Sequence, residues 1–417
     1  MSKGSPPQNT KSDSTQYRLD PRDIIQGAQM LLVAFGALVL VPILTGLNPN
    51  VALFTAGLGT LCFQWITGGK IPVFLGSSFA FIAPITISVR KFGLAETLSG
   101  LLAAGALYLL LSLLIFWRGS HIVTYVLPTI VTGPVIMVIG LSLAPIAIKM
   151  ATEPGDGISA SVAIILSSLS FLATILTVVF ARRMLRLIPI LVGILAGYLA
   201  AMIMGLIDFA PLRAAPWIAI PNFTTPVFHG PAMLYMLPVA IAPAIEHIGD
   251  ILVVSSVTGQ PFLQHPGLHR TLLGDGLATS LAACLGGPPN TTYSEVTGAV
   301  ALTRSFNAGI MTWAAIIAII LSFSGKLEGL LSTIPAPVMG GVLVILFGTI
   351  VVVGMDSIVK AGEDLLQTRN LIIVGAILIL GVGGMRLKAG QFALEGIGAS
   401  SIIGIILNLL LPRRLET

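Results

Sequence analysis

The stretch that decides the fold is CLGGPPNTTYSEVTGAVAL, residues 284–302. Gly286–Pro289 interrupt this apolar segment and free backbone polar groups that lipid cannot satisfy. The segment also carries Glu295, and a carboxylate at bilayer depth costs about 2.5–3.5 kcal/mol unless a partner, a proton or a ligand compensates it. A broken backbone beside an acid, within a hydrophobic bundle, predicts a substrate site.

A second acid, Glu246, lies in another apolar segment, LPVAIAPAIEHIGDILVV, residues 237–254. An apolar environment favours the neutral form of a carboxyl group, so an acid at this depth can take up a proton on one side of the membrane and release it on the other. Asp250 follows at i+4 on the same helical face, and close carboxylates repel each other. We predict that Glu246 and Asp250 respond to protons, with a structural acceptor of backbone hydrogen bonds as the alternative for Asp250.

Two other polar residues in apolar surroundings are expected to have structural roles. His247 lies about 100° around the helix from Glu246, and we expect it to pack against neighbouring side chains. Asp275, in LLGDGLATS, is expected to satisfy the backbone at a helix end or in a neighbouring segment.

Composition places the chain in a membrane. Of its 417 residues 55% are hydrophobic and only 9% charged, whereas a soluble domain carries about 25% charged residues. Apolar runs of about 20 residues, long enough to cross the hydrocarbon, recur from Gly27 to Leu411. The net charge of +5 comes from scattered Lys and Arg, which indicates membrane orientation rather than a nucleic-acid surface. This composition predicts an all-α polytopic membrane protein. The sequence shows no metal-ligand cluster, phosphate loop or catalytic triad, and we predict that the protein is not an enzyme.

The distribution of basic residues predicts the orientation. Counting gives about fourteen apolar spans, some of them short or interrupted. With a cytoplasmic N-terminus, 15 of the 22 Lys and Arg residues lie on the inner side and 7 on the outer side, as the positive-inside rule expects. Both termini are therefore predicted to be cytoplasmic, after a polar tail over residues 1–23 in which no cleavable signal peptide is recognised.

An internal repeat relates the two halves of the chain. LPTIVTGPV (residues 127–135) matches IPAPVMGGV (residues 334–342) at an offset of 207. Two halves of about seven spans follow, and an odd number of spans per half inserts the second half upside down relative to the first. A chance match in Gly- and Pro-rich sequence is the alternative. The identical pairs are Pro128/Pro335, Val131/Val338, Gly133/Gly340 and Val135/Val342.

Interrupted segments occur at corresponding places in the two halves, which is the pattern of a transport site. The first half offers KIPVFLGSSFAFIAP (residues 70–84) and the second GGPPNTTYSEVTG (residues 286–298). Each is predicted to run as an extended stretch followed by a half-helix, whose free N–H groups bind polar substrate atoms. A kinked structural helix is the alternative for either segment alone.

Five stretches resemble the nucleobase–ascorbate transporter family, and within it the bacterial uracil permeases. The resemblance runs from about residue 23 to residue 411 and implies fourteen transmembrane segments in two inverted repeats of seven, with short strands in the broken segments 3 and 10. It also implies a core domain over residues 24–118 and 230–325 and a gate domain over residues 119–210 and 326–412. The stretches are GSSFAFIAP (76–84), EHIGD (246–250), PGLHRTLLGDGLATSLA (266–282), GGPPNTTYSEVTGAV (286–300) and IPAPVMGG (334–341).

The resemblance also implies a substrate site. Its two binding acids correspond to Glu246 and Glu295, its backbone contributors to Phe79 and Ser294, and a polar network around the site to Tyr293. The chemistry fits uracil, whose two ring N–H groups can donate to carboxylates and whose two carbonyls can accept from backbone N–H groups. Phe79 also offers an apolar ring face to a planar base.

Two positions depart from the family pattern. Asp250 stands where well-known uracil permeases have a His implicated in coupling, and Met30 stands where many members have a His that lines the site. The first departure leaves the proton path open. The second loosens the substrate assignment, whereas Glu295 argues for uracil because purine-transporting relatives usually have Gln there.

The resemblance implies a proton symporter that imports uracil by an elevator movement of core against gate. It would sit in the bacterial inner membrane as a multi-pass protein, use the proton as coupling ion with no other cofactor, and form a homodimer through the gate. A purine permease of the same family and an anion transporter or channel of the same fold are alternatives. An intramembrane protease is a third, although no Asp partner for the GD pair at Gly274 and Asp275 is evident.

Overall fold

The computed structural model describes residues 17–119, 125–153, 158–389 and 392–412. Helices dominate, because long apolar runs satisfy their backbone internally only as helices. The first half contains α1 (Ile24–Thr45), α2 (Pro49–Thr67), β1 (Leu75–Ser77), α3 (Ile82–Phe92), α4 (Leu94–Arg118), α5 (Thr129–Thr152), α6 (Ala160–Phe180), α7 (Pro189–Ile203) and the short α8 (Ala210–Ala214).

The second half repeats this order with α9 and α10 together in the place of α1, without a counterpart of the short α8, and with two additions, the helix α14 and a pair of strands before the last helix. It contains α9 (Gly230–Val239), α10 (Ile241–Thr258), α11 (Leu268–Leu285), β2 (Asn290–Thr292), α12 (Ser294–Thr303), α13 (Gly309–Ser322), α14 (Gly325–Ser332), α15 (Ala336–Ala361), α16 (Thr368–Val382), β3 (Arg386–Ala389), β4 (Phe392–Glu395) and α17 (Gly396–Leu410).

The equivalent helices α5 and α15 of the two halves lie antiparallel. α5 and α15 begin 207 residues apart, at the offset of the sequence repeat. They pack closely at glycines: a Cβ at Gly133 would lie 2.8 Å from the carbonyl oxygen of Gly354, and one at Gly140 would lie 2.6 Å from that of Phe347. Since the contacts run in opposite directions along the two helices, the predicted inverted repeat is confirmed.

Short strands occur in both broken segments, as predicted. β1 and β2 form an antiparallel pair between the two halves. A second antiparallel pair, β3 with β4, precedes α17 and was not predicted, because the apolar pattern of the last spans gave no sign of it.

Several helices have the length and composition of membrane spans. Among the described residues six helices qualify, or seven when α13 and α14, bent by 82°, count as one. The shorter apolar helices α7, α16 and α17 and the two broken segments complete the bundle. The chain is thus a multi-pass membrane protein, while the total of fourteen crossings and the cytoplasmic termini stay predictions.

Helix packing falls into two groups. α1, α2, α4, α9, α11 and α13 contact one another around the strand pair, and α5, α6, α7, α15 and α16 form the second group, which α17 joins through α16 and α5. α10 touches α11 of the first group, α12, which packs on α1 of that group, and α5 and α17 of the second group. It therefore lies where the two groups meet.

Candidate substrate site at the paired strands

The two broken segments satisfy each other's backbone. Leu75 pairs with Thr292 and Ser77 with Asn290, and all six strand residues are buried. The ladder continues at both ends, where Ser78 N donates to Pro289 O at 2.9 Å and Tyr293 N donates to Phe74 O at 3.2 Å. The polar groups freed by the glycines and prolines are thus paired inside the protein rather than left to lipid.

Hydrogen bonds to α2 and α11 hold the strands in place. Asn290 Nδ2 donates to Thr55 O at 3.1 Å, and Thr279 Oγ1 donates to Asn290 O at 2.9 Å. On the other strand, Leu75 N donates to Thr60 Oγ1 at 2.9 Å. The strand pair is therefore anchored on both sides by buried hydrogen bonds.

A helical segment begins directly after each strand. A 3₁₀ turn starts at Phe79 and leads into α3, and α12 starts at Ser294, and no side chain caps either start. Uncapped N–H groups at a helix start can bind electronegative ligand atoms. Glu295 lies in the first turn of α12, where the helix dipole favours its negative charge.

Asp250 joins α10 to the second broken segment. Its Oδ2 accepts a hydrogen bond from Thr292 Oγ1 and its Oδ1 one from Ser294 Oγ, each at 2.6 Å. Asp250 is therefore a structural acceptor, but of hydroxyl groups and not of backbone as the alternative reading expected. Ser294 was predicted to act through its backbone, and the structure adds this role of its side chain.

The two predicted binding acids are partly exposed. Glu246 and Glu295 are half-buried, and their charges interact with each other and with that of Asp250. Glu246 forms no hydrogen bond or ion pair with any other residue in the described part of the chain. Ser294 is exposed although its hydroxyl reaches Asp250, and a Cβ at Gly298, one turn further along α12, would meet nothing within 4 Å. Both acids therefore keep part of their side chains accessible to a ligand.

Three aromatic rings lie beside the strand pair. Phe79 and Tyr293 stack with centroids 6.4 Å apart and an interplanar angle of 10°, and Tyr293 Oη donates to Ser77 O at 3.0 Å. Phe347 of α15 stands nearly perpendicular to Phe79, at 6.3 Å and 78°. Sequence reasoning missed Phe347, for which the one available signal was its being the only aromatic residue in α15.

Two further features lie beside these residues. A cavity of about 130 Å³ between α5 and α15 is lined by Phe347, Gly140, Ala144 and Gly348, and neither predicted acid lines it. Met30, the departure from the family pattern in α1, is fully buried in the apolar core. In this structure the Met30 side chain therefore serves packing.

Broken segments that meet inside an inverted repeat define the site of a membrane transporter. Comparison with known proteins gives the family, since residues 22–390 match the model of the "Permease family". The chain is 52% identical over 391 residues to "Probable uracil permease" of Pasteurella multocida, covering 94% of each, and 45% identical over 393 residues to "Uracil permease" of Bacillus caldolyticus, covering 93% of this chain and 91% of that one. The chain belongs to the nucleobase–ascorbate transporter family and is a permease, not an enzyme.

Solved structures of other transporters share the fold. "The transmembrane domain of a cyanobacterium bicarbonate transporter BicA" superposes with a TM-score of 0.67 at 17% identity, covering 94% of this chain and 98% of that chain. "The overall structure of SLC26A9" gives 0.68 at 11% identity, covering 93% and 64%. At these identities the likeness is one of fold alone.

Proposed function

We propose that the protein imports uracil in symport with protons. The observation that carries the proposal is the pair of half-buried acids, Glu246 and Glu295, whose charges interact beside the uncapped start of α12, where Tyr293 stacks on the ring of Phe79. The relatives named uracil permease, similar over more than nine-tenths of the chain, support this choice of base.

The geometry matches the chemistry of the base. The ring N–H groups of uracil would donate to the carboxylates of Glu246 and Glu295, and its carbonyl oxygens would accept from N–H groups at the starts of the two helical segments. The ring of Phe79 would cover one face of the base. Since a buried group left unpaired is costly, a base with a different order of donors and acceptors binds more weakly.

Proton coupling is proposed from the proximity of three carboxyl groups. Glu246, Asp250 and Glu295 interact electrostatically in a site largely enclosed by protein. Carboxylates brought together repel each other, and a proton taken up by the group relieves that repulsion. The carboxyl group of Asp250 already accepts hydrogen bonds from two hydroxyl groups, so we assign the exchanged proton to Glu246, whose carboxyl group has no such partner.

Uptake of radiolabelled uracil into proteoliposomes with an inward proton gradient tests the proposal. Wild type is expected to accumulate uracil, with competition by unlabelled uracil but not xanthine. Glu246→Gln and Glu295→Gln are expected to abolish accumulation, because an amide presents a donor where the base needs an acceptor. Glu153→Gln is the matched control, since this glutamate is 58% exposed at the end of α5 and should leave uptake unchanged.

Each outcome bears on a separate part of the proposal. Uracil uptake that is independent of the proton gradient would refute proton coupling and leave uracil as the substrate. Transport of xanthine but not of uracil would show that the substrate is a purine base and not uracil. Uptake that persists in both glutamine variants would show that Glu246 and Glu295 do not bind the substrate.

We further propose that the first helix group, with the strands, moves as a core against a gate formed by the second group. The supporting contact is the approach of α17 to α9, where a Cβ at Gly398 would lie 3.0 Å from Pro238 Cβ. In a chain with Cys62 and Cys284 replaced by Ser, a disulfide between cysteines at 238 and 398 should stop transport, and a reductant should restore it.

The matched control is a disulfide inside the proposed core. Gly105 of α4 packs directly on Ser280 of α11, so cysteines at 105 and 280 would join two helices that move together. This link is expected to leave transport intact. Transport that continues with the disulfide between 238 and 398 closed would rule out movement at this contact.

We also propose cytoplasmic termini, residence in the bacterial inner membrane, and a homodimer formed through the gate. The excess of basic residues on the predicted inner side supports the orientation. For the dimer, α6 is the least buried of the six long apolar helices and offers an uncovered face. Cross-linking through single cysteines on α6 in native membranes tests the dimer, and a monomer-sized product under full oxidation would contradict it.

A further inference from the structure

A histidine and an aspartate meet in the interior of the protein. His247 Nδ1 of α10 lies 3.4 Å from Asp275 Oδ2 of α11, and both side chains are fully buried. Neither ring nitrogen of His247 and neither carboxyl oxygen of Asp275 has a hydrogen-bond partner among the described residues. Asp275 lies in the middle of α11, so it does not serve a helix end as its sequence context suggested.

The two glycines that flank Asp275 explain its burial. A Cβ at Gly274 would lie 2.8 Å from Cδ2 of the Phe63 ring in α2, and one at Gly276 would lie 2.8 Å from Tyr108 Cβ in α4. α11 therefore packs flush against both helices and closes Asp275 off from water. Tyr108 is itself fully buried, and its hydroxyl group has no partner in the described structure.

The charges around the pair are all acidic. Asp275 interacts electrostatically with Asp250 and Glu246 of α10 and with Tyr108 of α4. α2 contributes only the ring of Phe63, which meets His247 edge-on at 6.3 Å. Glu295 of α12 acts on Glu246. Of the described groups, His247 is thus the one within ion-pair distance of Asp275 that can carry positive charge.

We propose that His247 and Asp275 hold a single proton between them as a neutral pair, which fastens α10 to α11 and fixes the orientation of Glu246, the residue next to His247. A lone carboxylate in this surrounding would be strongly destabilised, whereas a pair with one proton carries no net charge. In this proposal the shared proton joins His247 Nδ1 to Asp275 Oδ2, now 3.4 Å apart, and so sets the rotation of α10. His247 and Asp275 are positioning residues. Their effect on the orientation of Glu246 rests on the proposed binding of uracil by Glu246.

The proton count gives the proposal a signed test that needs no substrate. Between about pH 4.5 and 6 an unfolded chain has Asp ionised and His protonated. In wild type the pair binds one proton in the folded state and one in the unfolded state, so it contributes no pH dependence to the free energy of unfolding. In His247→Gln the folded state keeps one proton on Asp275 and the unfolded state none, so stability falls as pH rises. In Asp275→Asn the folded state holds none and the unfolded state one, so stability rises with pH.

The measurement is unfolding of the full chain by SDS titration in mixed micelles, with each variant compared to wild type at the same pH. The unfolding constant is expected to change up to about tenfold per pH unit, in opposite directions for the two single variants. The double variant should differ from wild type by a constant factor. Tyr108→Phe is the matched control, since it removes one buried hydroxyl that stays neutral over this range and should add no slope.

Other results would overturn the proposal. If Asp275 were ionised beside a neutral His247, Asp275→Asn would show no slope relative to wild type and the double variant would follow His247→Gln. For the positioning role, His247→Gln is expected to weaken uracil binding at least about fivefold, in line with the coupling of contacting residues. Unchanged affinity would remove that role. Wild type that binds no uracil would refute the proposed function instead, and the unfolding data would still decide the pair.

Discussion

Replacing Gly76 by alanine tests whether the strand pair and its aromatic cover form one unit. An added Cβ at Gly76 would lie 2.5 Å from Tyr293 Cζ, 2.7 Å from Cε2 and 2.9 Å from Cε1. Ordinary carbon contacts are about 3.5 Å or longer, so the ring has to retreat by about 1 Å. That movement takes Tyr293 Oη, now 3.0 Å from Ser77 O, out of hydrogen-bond range and tilts the ring away from Phe79.

The magnitude follows from these two effects. The lost hydrogen bond is worth about 1 kcal/mol, and forcing a methyl group into a packed site costs about 1–3 kcal/mol, so destabilisation of about 2–4 kcal/mol is expected. About 2 kcal/mol of it should appear in binding, because the tilted rings no longer present a face to the base, and this corresponds to roughly 30-fold weaker affinity. Binding of labelled uracil to the purified chain and the unfolding midpoint in detergent measure the two parts.

The control makes the same chemical change where there is room. Gly375 in α16 has nothing within 4 Å of its would-be Cβ, so Gly375→Ala should keep uracil affinity and stabilise the helix by up to about 1 kcal/mol. Affinity of Gly76→Ala within threefold of wild type would refute the reasoning. An equal loss in Gly375→Ala would show that the assay reports general instability.

Three other substitutions separate anchoring from binding. Asn290→Ala removes the amide that donates to Thr55 O, and we expect the unfolding free energy to fall by about 1–3 kcal/mol with uracil uptake lost, which unchanged uptake would contradict. Arg369→Gln removes donors that reach Asn408 O at 2.8 Å and Asn408 Oδ1 at 2.6 Å, so the unfolding midpoint should drop while the KM for uracil stays the same, and a raised KM would argue against a purely structural role. Phe347→Ala should weaken uracil binding several-fold through loss of the edge contact to Phe79, and equal affinity would place Phe347 outside the site.

The inverted repeat and the extended backbone of the two broken segments could be predicted because the signals for them are local, whereas the short strands were implied by the family resemblance and their pairing was not predicted. Gly286–Pro289 cannot continue a helix, and an interruption recurs in the other half, so extended backbone at both places was the physical solution. The repeat motif fixed the starts of α5 and α15, since a proline precedes each helix. Both conclusions need only backbone chemistry and counting.

The side-chain contacts of the site could not be predicted in the same way. The distance of 2.6 Å between Asp250 and each hydroxyl joins residues more than 40 positions apart, and their meeting depends on how α10 is rotated against β2. Phe347 comes from the second helix group and reaches Phe79 across the boundary between the groups. The approach of His247 to Asp275 likewise depends on glycine packing between α11 and its neighbours, which spacing along the chain does not reveal.

The repeat produces a symmetric backbone that carries unlike side chains, and this difference suits an uncharged planar ligand. In each half one residue separates the end of the strand from the start of the helical turn. Phe79 and Ser294 therefore occupy equivalent positions, and so do Ala80 and Glu295. Two uncapped helix starts at a symmetric site with a carboxylate on each side would place like charges together and repel each other. With Ala80 in place of an acid, one start offers an apolar ring and the other a carboxylate. A base can then stack on the first half while its N–H groups donate to the second.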